Sequence, residues 1–369
     1  MDFNFDLLEY VDDTDQDGIA DYWETPARGL NPNNPADASM DYDGDGFDNF
    51  EEFHWYTDGY VADSDFDGMS DRDEVAVRRN PLLADPSIEM LTLGESIRST
   101  VQDMISGKSS GDSTLNVFSS KNHSAQSYVR NSNLWCAGMV EKLTGCAVYK
   151  PTSDGTKEDF GGVMISSRHI LFCRHVHPQW NGSTSGGNPQ LIRFVKSDGT
   201  VVDRILVAGA DSAYEDLDLC VGLLDSDVPA GIHISKVLPL SETQRKIFSR
   251  LKLPDVAVSQ GPGGAVTPPI FHDSKVYIGV TSGIFDPPTG LFTGWWHSPY
   301  AGDSGTPRFM MIDNDLLLTS LSGAASVSTN IARINAIIAQ CDANAVTEGI
   351  LSAPTGKILT ISSVHIPAY

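Results

Sequence analysis

Three times within residues 13–74 the chain repeats one spacing of oxygen-bearing side chains. The segments are Asp13-x-Asp15-x-Asp17-Gly18-x-x-Asp21-x-x-Glu24, Asp41-x-Asp43-x-Asp45-Gly46-x-x-Asn49-x-x-Glu52 and Asp63-x-Asp65-x-Asp67-Gly68-x-x-Asp71-x-x-Glu74. Each puts donors at positions one, three, five, nine and twelve and a glycine at six. Carboxylates at that density repel one another, so such a segment closes only around a cation. A hard cation takes about 6–8 oxygens, and a glycine at six permits the sharp turn that wraps the chain around it. Ile19, Phe47 and Met69, at position seven, would each add a backbone carbonyl, and the glutamates at twelve would bind through both oxygens. The spacing predicts three Ca²⁺ loops.

Charge follows the same division. Residues 1–95 hold 26 Asp/Glu against 4 Lys/Arg, a net of -22, whereas the other 274 residues carry a net of only -2. One acidic module, residues 1–85, is thus joined to a nearly neutral remainder. The acidic excess argues for cations as partners and against nucleic acid. Few aliphatic side chains are available there, so ion binding is expected to supply much of the folding free energy. Linkers such as Asn31-Pro32-Asn33-Asn34-Pro35 and Asn80-Pro81 stand where an EF-hand has long paired helices. Together these segments resemble the bacterial thrombospondin type 3-like repeats of exported proteins. That resemblance implies secretion or display at a cell surface or in a matrix, where calcium is plentiful.

The five cysteines, Cys136, Cys146, Cys173, Cys220 and Cys341, are too few for a disulfide scaffold. Cys136 and Cys146 are the best candidates for a disulfide. Cys173 and Cys220 read as buried free thiols that behave as small apolar side chains. No segment has the length of a membrane span. The first residues show neither the basic nor the apolar part of a signal peptide. A mature or trimmed form, export by another route and an intracellular chain all stay open on that ground.

In the neutral part, Gly302-Asp303-Ser304-Gly305-Thr306-Pro307 places a serine between glycines, where its hydroxyl is accessible and backbone N–H groups can converge on one point. Upstream, Gly161-Gly162-Val163-Met164-Ile165-Ser166-Ser167-Arg168-His169-Ile170-Leu171-Phe172-Cys173-Arg174-His175 reads as two short apolar runs around a polar turn. Between them lies Asp218-Leu219-Cys220-Val221-Gly222-Leu223-Leu224, with Asp216 as a second acidic candidate. The three segments resemble, in the same order, those of the trypsin-like serine proteases. The α/β-hydrolases and subtilisins run in other orders.

The resemblance covers about residues 131–345. It implies His175 as general base, Asp218 as the group that orients it and Ser304 as nucleophile. It further implies an oxyanion hole from the N–H groups of Gly302 and Ser304, and a specificity pocket near Ser298 and Ser322. His169 and His177 receive no role. The implied fold is mainly β: two six-stranded antiparallel β-barrels with a C-terminal helix, with His175 and Asp218 in the first barrel and Ser304 in the second. Strand-like runs at 147–149, 163–165, 191–195, 201–202 and 204–207, separated by Gly-rich turns, agree with that class. Ile331, Ile334, Ile337, Ile338 and Cys341 recur at helical spacing, and 358–366 reads as a further strand. Residues 86–130 read as a connector with a short helix near 95–106, and the protease domain spans 131–369.

The pattern departs from the family at Thr306, where a glycine is usual, at Ser298, where no carboxylate lines the pocket, and at Asp303, which lacks a visible new N-terminus to pair with. Trp295 and Trp296 read as core aromatics. Two functions remain open on the residues. One is a secreted, calcium-stabilised serine endopeptidase acting on a polypeptide substrate with no catalytic cofactor. The other is a calcium-binding adhesion or scaffold protein whose trypsin-like domain binds without catalysis.

Overall fold

A computed structural model of the chain describes residues 12–122, 125–146, 161–176, 180, 190–214, 216–259, 275–280, 290–296 and 304–367. These form two compact units that divide between Met90 and Leu91.

In the first unit each acidic loop is held by its own carboxylates. The aspartate at position one accepts the N–H of the glycine at six: Gly18 to Asp13 at 3.1 Å, Gly46 to Asp41 at 3.0 Å and Gly68 to Asp63 at 2.7 Å. The aspartate at five accepts the N–H at seven, from Ile19, Phe47 and Met69 at 2.8, 2.7 and 2.9 Å. Gly18, Gly46 and Gly68 have φ of 96°, 100° and 93°, a left-handed conformation that a Cβ would strain. The second loop runs into α1 (Asn49–Trp55), whose N-cap Asp48 forms a capping box with Glu51. The third runs into α2 (Asp71–Ala76), capped by Ser70. A small apolar core of Ile19, Leu30 and Ala38, with Trp23, Tyr42 and Phe53 against it, holds the unit.

Helix α3 (Ile88–Ile105) leads into the second unit; it starts earlier than the spacing suggested and buries Ile97, Val101 and Ile105 there. The short helix α4 (Asp112–Leu115) and the hairpin of β1 (Phe118–Asn122) and β2 (Ser127–Arg130) follow. Residues 91–130 cluster with the second unit. One antiparallel sheet contains β3 (Val163–Met164), β4 (His169–Cys173), β5 (Leu191–Val195), β6 (Val201–Asp211) and β7 (Leu219–Leu224), in the order β3-β4-β7-β6-β5. The other contains β8 (Lys236–Val237), β9 (Pro254–Ser259), β10 (Lys275–Val280), β11 (Pro307–Ile312) and β12 (Asp315–Leu321), in the order β10-β9-β11-β12-β8. Among the described strands, only the β8–β12 pair is parallel. Helix α5 (Glu242–Leu251) precedes β9, and α6 (Ile331–Thr347) turns Ile334, Ile337, Ile338 and Cys341 inward at the predicted spacing.

The class is mainly β with a C-terminal helix. Among the described residues each large sheet has five strands, not the six expected of a barrel. The edges show why. Cys146 meets Val163, and Ile361 meets Val237, through one isolated bridge each. The 358–366 tail is therefore extended chain rather than a strand. The two runs at 201–202 and 204–207 are one strand, because Asp203, which looked like a break, pairs across the sheet with Arg193 through two bonds of 2.7 Å. The run at 147–149 lies outside the described residues. Cys136 and Cys146 form no disulfide: all five cysteines are free and buried. Burial pushes the Cys136 and Cys146 thiols up to about 12, as expected of thiols packed as small apolar groups.

His169, the fully buried first residue of β4, ties the sheet to α6. Its Nδ1 lies 2.8 Å from Ser166 Oγ and its Nε2 lies 3.1 Å from Asp342 Oδ1. Asp342 Oδ2 accepts the Thr355 N–H at 2.8 Å and its hydroxyl at 2.6 Å. Asp342→Ala strands these donors, so it is expected to cost the second unit about 1–3 kcal/mol in urea unfolding. Burial holds the His169 pKa below its ordinary 6.5, although Asp342 opposes the shift. The unfolded chain then binds the extra proton, so this contribution is present above pH 6.5 and lost as pH falls below it.

Candidate functional site

The register of β4 against β7 assembles the site. Cys173 pairs with Leu219, so the exit of β4 lies beside the entrance of β7. His175 sits in the 3₁₀ turn Arg174–Val176 directly after β4, and Asp218 directly precedes β7. The Arg174 N–H donates to the Asp218 carbonyl at 2.9 Å, extending the ladder by one rung. Asp218 has φ 44°, a left-handed conformation that turns its carboxylate back toward His175. Both carboxylate oxygens are engaged there: Oδ1 accepts the His175 backbone N–H at 3.1 Å, and Oδ2 meets Nδ1 at 2.5 Å. A carboxylate only accepts, so Nδ1 carries the proton and Nε2 is left as an acceptor. Nε2 lies 2.8 Å from Ser304 Oγ.

Ser304 comes from the other sheet, just ahead of β11. Its turn is fixed from two sides. The Gly305 N–H donates to the Ser322 carbonyl at 2.8 Å and the Ser322 N–H to the Thr306 carbonyl at 2.9 Å, continuing the β11–β12 ladder. The Gly161 N–H, ahead of β3, donates to the Ser304 carbonyl at 2.9 Å and so joins the sheets. Gly305 has φ 80°, and a Cβ on it would lie 2.3 Å from the Gly161 oxygen. Gly323, at φ 84°, lies flat beside the pair, and a Cβ there would stand 3.3 Å from His175 Cε1 and 3.5 Å from Ser304 Oγ. A side chain at Gly305 would collide with the Gly161 carbonyl that fixes the Ser304 turn, and at either glycine the positive φ would strain it.

The three residues singled out from the sequence are thus brought together. The His175 and Asp218 side chains are 47% and 30% exposed, which leaves the imidazole open to an incoming molecule. Asp216, the other acidic candidate, points away and pairs with Arg333 of α6 at 2.6 Å. Cys173 is buried under the site and donates its S–H to the Ser322 carbonyl at 3.2 Å. Burial, with the Asp218 charge nearby, pushes its thiol up to about 12, so it is no competing nucleophile. Ser322 itself is buried at the end of β12. Gly302, Ser298, Asp303 and His177 lie outside the described residues. Trp295 is a core aromatic, edge-on to Trp135 at 6.5 Å, and Trp296 is half-buried.

In the first unit the ligand atoms of Asp13, Asp15 and Asp17 lie within 4.8 Å of one another, as do those of Asp41, Asp43 and Asp45 and those of Asp63, Asp65 and Asp67. The glutamates at position twelve, Glu24, Glu52 and Glu74, are buried with both oxygens unpartnered. Burial, with repulsion from neighbouring carboxylates, pushes Glu24 and Glu52 up to about 7 and Glu74 up to about 8. Such a donor set, all oxygen and uncompensated, fits a hard divalent cation. Position nine has a second task. Asp21 accepts from the Thr14 N–H and hydroxyl at 2.8 and 2.7 Å, and Asp71 from the corresponding groups of Ser64 at 2.9 and 2.8 Å. Sequence reasoning passed over Asp37, whose carboxylate joins those of Asp17 and Glu24 within 4.8 Å. It lies in an Asn/Pro linker and belongs to no repeat, so only the buried carboxylate itself could have drawn attention to it.

No helix among the described residues is long and apolar enough to cross a membrane. No protein-family model matches the chain, and no curated protein matches it.

Proposed function

We propose that the chain is a calcium-stabilised serine endopeptidase of the trypsin-like type, exported to a calcium-rich exterior. The observation that carries this reading is the continuous chain from Asp218 through His175 to Ser304, at 2.5 and 2.8 Å, built from three segments far apart in sequence. In this reading the two sheets are the cores of two β-barrels and the site lies where they meet.

Ser304 Oγ attacks the carbonyl carbon of a peptide bond while its proton passes to His175 Nε2. Asp218 holds the Nδ1–H tautomer and stabilises the imidazolium that forms. The N–H groups of Gly302 and Ser304 are assigned to the developing oxyanion. The C–N bond then breaks, His175 gives its proton to the leaving amine, and an acyl ester on Ser304 remains. Water, deprotonated by the same imidazole, attacks that ester and frees the acid and the serine.

Calcium takes no part in these steps. It supplies positive charge to the three acidic loops, held by Asp13, Asp15, Asp17 and Glu24, by Asp41, Asp43, Asp45 and Glu52, and by Asp63, Asp65, Asp67 and Glu74. Asp21, Asn49 and Asp71 with the carbonyls of Ile19, Phe47 and Met69 complete the proposed set.

Quenched-fluorescent peptides incubated with the calcium-loaded full chain test the reading. Hydrolysis is expected, with kcat lowered about 10⁴-fold in Asp218→Asn, because that side chain favours the wrong tautomer. Asp218→Asn with wild-type kcat would overturn the assignment. Absence of any peptide or ester hydrolysis by folded protein would favour a binding module instead.

A further inference from the structure

We propose that Asp37 is an additional ligand of the cation in the first acidic loop, and that Asn49 of the second loop positions it, so that the first site is complete only when the second loop is folded. This rests on the reading that the loops take calcium.

Asp37 lies outside the repeat, yet its carboxylate falls within 4.8 Å of those of Asp17 and Glu24. It is 3% exposed. Its two oxygens differ in what they do. Oδ2 is anchored by the Asn31 N–H at 3.0 Å and by Asn34 Nδ2 at 3.4 Å. Oδ1 is buried without a partner, as are Glu24 Oε1 and Oε2 and Asp17 Oδ2 of the same group and both oxygens of Asp15, whose own group shares the Asp17 carboxylate. A buried carboxylate oxygen without a donor carries a large desolvation cost, and several turned toward one point raise it further by repulsion. One divalent cation at that point removes both costs at once. From the loop itself come Asp13, Asp15, Asp17, the Ile19 carbonyl and the two Glu24 oxygens, about six donors, while both oxygens of Asp21 are also engaged by Thr14. A calcium ion takes about 6–8 oxygens, and Asp37 brings the set to about seven.

The second loop sets where Asp37 sits. Asn49, the position-nine residue of that loop, is buried and donates Nδ2 to the Asp37 carbonyl at 2.8 Å. The next residues are stitched to the same helix start: the Phe50 N–H donates to Ala38 O at 3.0 Å and the Asn49 N–H to Met40 O at 3.0 Å. The strand of chain that presents Asp37 is therefore the rim of α1, whose first turn forms as the second loop closes. Folding of that loop delivers a ligand to its neighbour.

Calcium titration of the full chain against a chromophoric chelator tests this, with Asp37→Asn, Glu24→Gln and the double variant. Wild type is expected to bind three ions. Asp37→Asn is expected to weaken one site at least about tenfold, the scale of losing one charged ligand, and to leave two unchanged. In the Glu24→Gln background it should add far less, because both residues serve one ion. Asp37→Glu, which keeps the charge but shifts the oxygens, is expected to weaken the same site less, and it serves if the asparagine variant does not fold at saturating calcium. Wild type with three sites and an Asp37→Asn profile identical to it overturns this proposal alone. Additive effects of Asp37→Asn and Glu24→Gln, on two different sites, overturn it too. Wild type that binds no calcium overturns the calcium reading and this proposal together.

Discussion

Replacement of Ser304 by alanine is expected to lower kcat/KM for peptide hydrolysis by about 10⁴–10⁶-fold, a loss of about 5–8 kcal/mol in transition-state stabilisation. The group removed is the one proposed to form the covalent bond, and no other nucleophile stands in reach among the described residues. Cys173 is the nearest thiol, but it is held protonated and bonded to the Ser322 carbonyl. The change is expected to cost little stability. His175 loses one partner, but it is about half exposed and water replaces the lost bond. Its orientation survives, because both Asp218 oxygens still hold it. The members of such a unit are strongly non-additive, so His175→Ala added to Ser304→Ala should lower the rate little further. A fall of less than tenfold in purified Ser304→Ala would show that the hydrolysis arises elsewhere.

Removal of calcium is expected to melt the first unit at pH 8 while the second unit stays folded. With each site at about a thousandfold over its Kd, one ion adds about 4 kcal/mol and three add about 12. The apolar core that remains, Ile19, Leu30 and Ala38 with three partly buried aromatics, is small for a unit of this length. Acidity should partly rescue the ion-free form. Glu24, Glu52 and Asp65 are raised to about 7 and Glu74 to about 8, so between their ordinary values and these the folded state binds protons that the unfolded state does not. Ion-free stability therefore falls as pH rises from about 4.5 to 8. With calcium the sign reverses, because the cation needs those carboxylates ionised. Differential scanning calorimetry with and without chelator at pH 5 and pH 8 reads all four states. Identical transitions with and without chelator at pH 8 would contradict the account.

Legibility of the fold and site in the sequence followed how local each constraint was. Ser304 could be read because glycines stand on either side of it, and Gly305 is needed where it meets the Gly161 oxygen. Asp218 could be separated from Asp216 because only one register puts a small residue after the aliphatic, and that register is the one that pairs Cys173 with Leu219. The α6 stripe was legible from periodicity alone. What escaped notice depends on partners distant in sequence. Asp203 looked like a strand break until Arg193 lay across from it. His169 looked incidental, although it is bonded to Asp342 on the far helix. The Cys136–Cys146 pairing rested on proximity in sequence, which says nothing of how two thiols face. Asp37 carries no motif at all, and its meaning comes from burial without a partner.

The most direct measurement is active-site titration of the calcium-loaded full chain with a fluorophosphonate, followed by peptide mass mapping. The account predicts one adduct per chain, located on Ser304 and absent from Ser304→Ala. Folded, calcium-loaded protein that takes no adduct, or takes it on another residue, would contradict it.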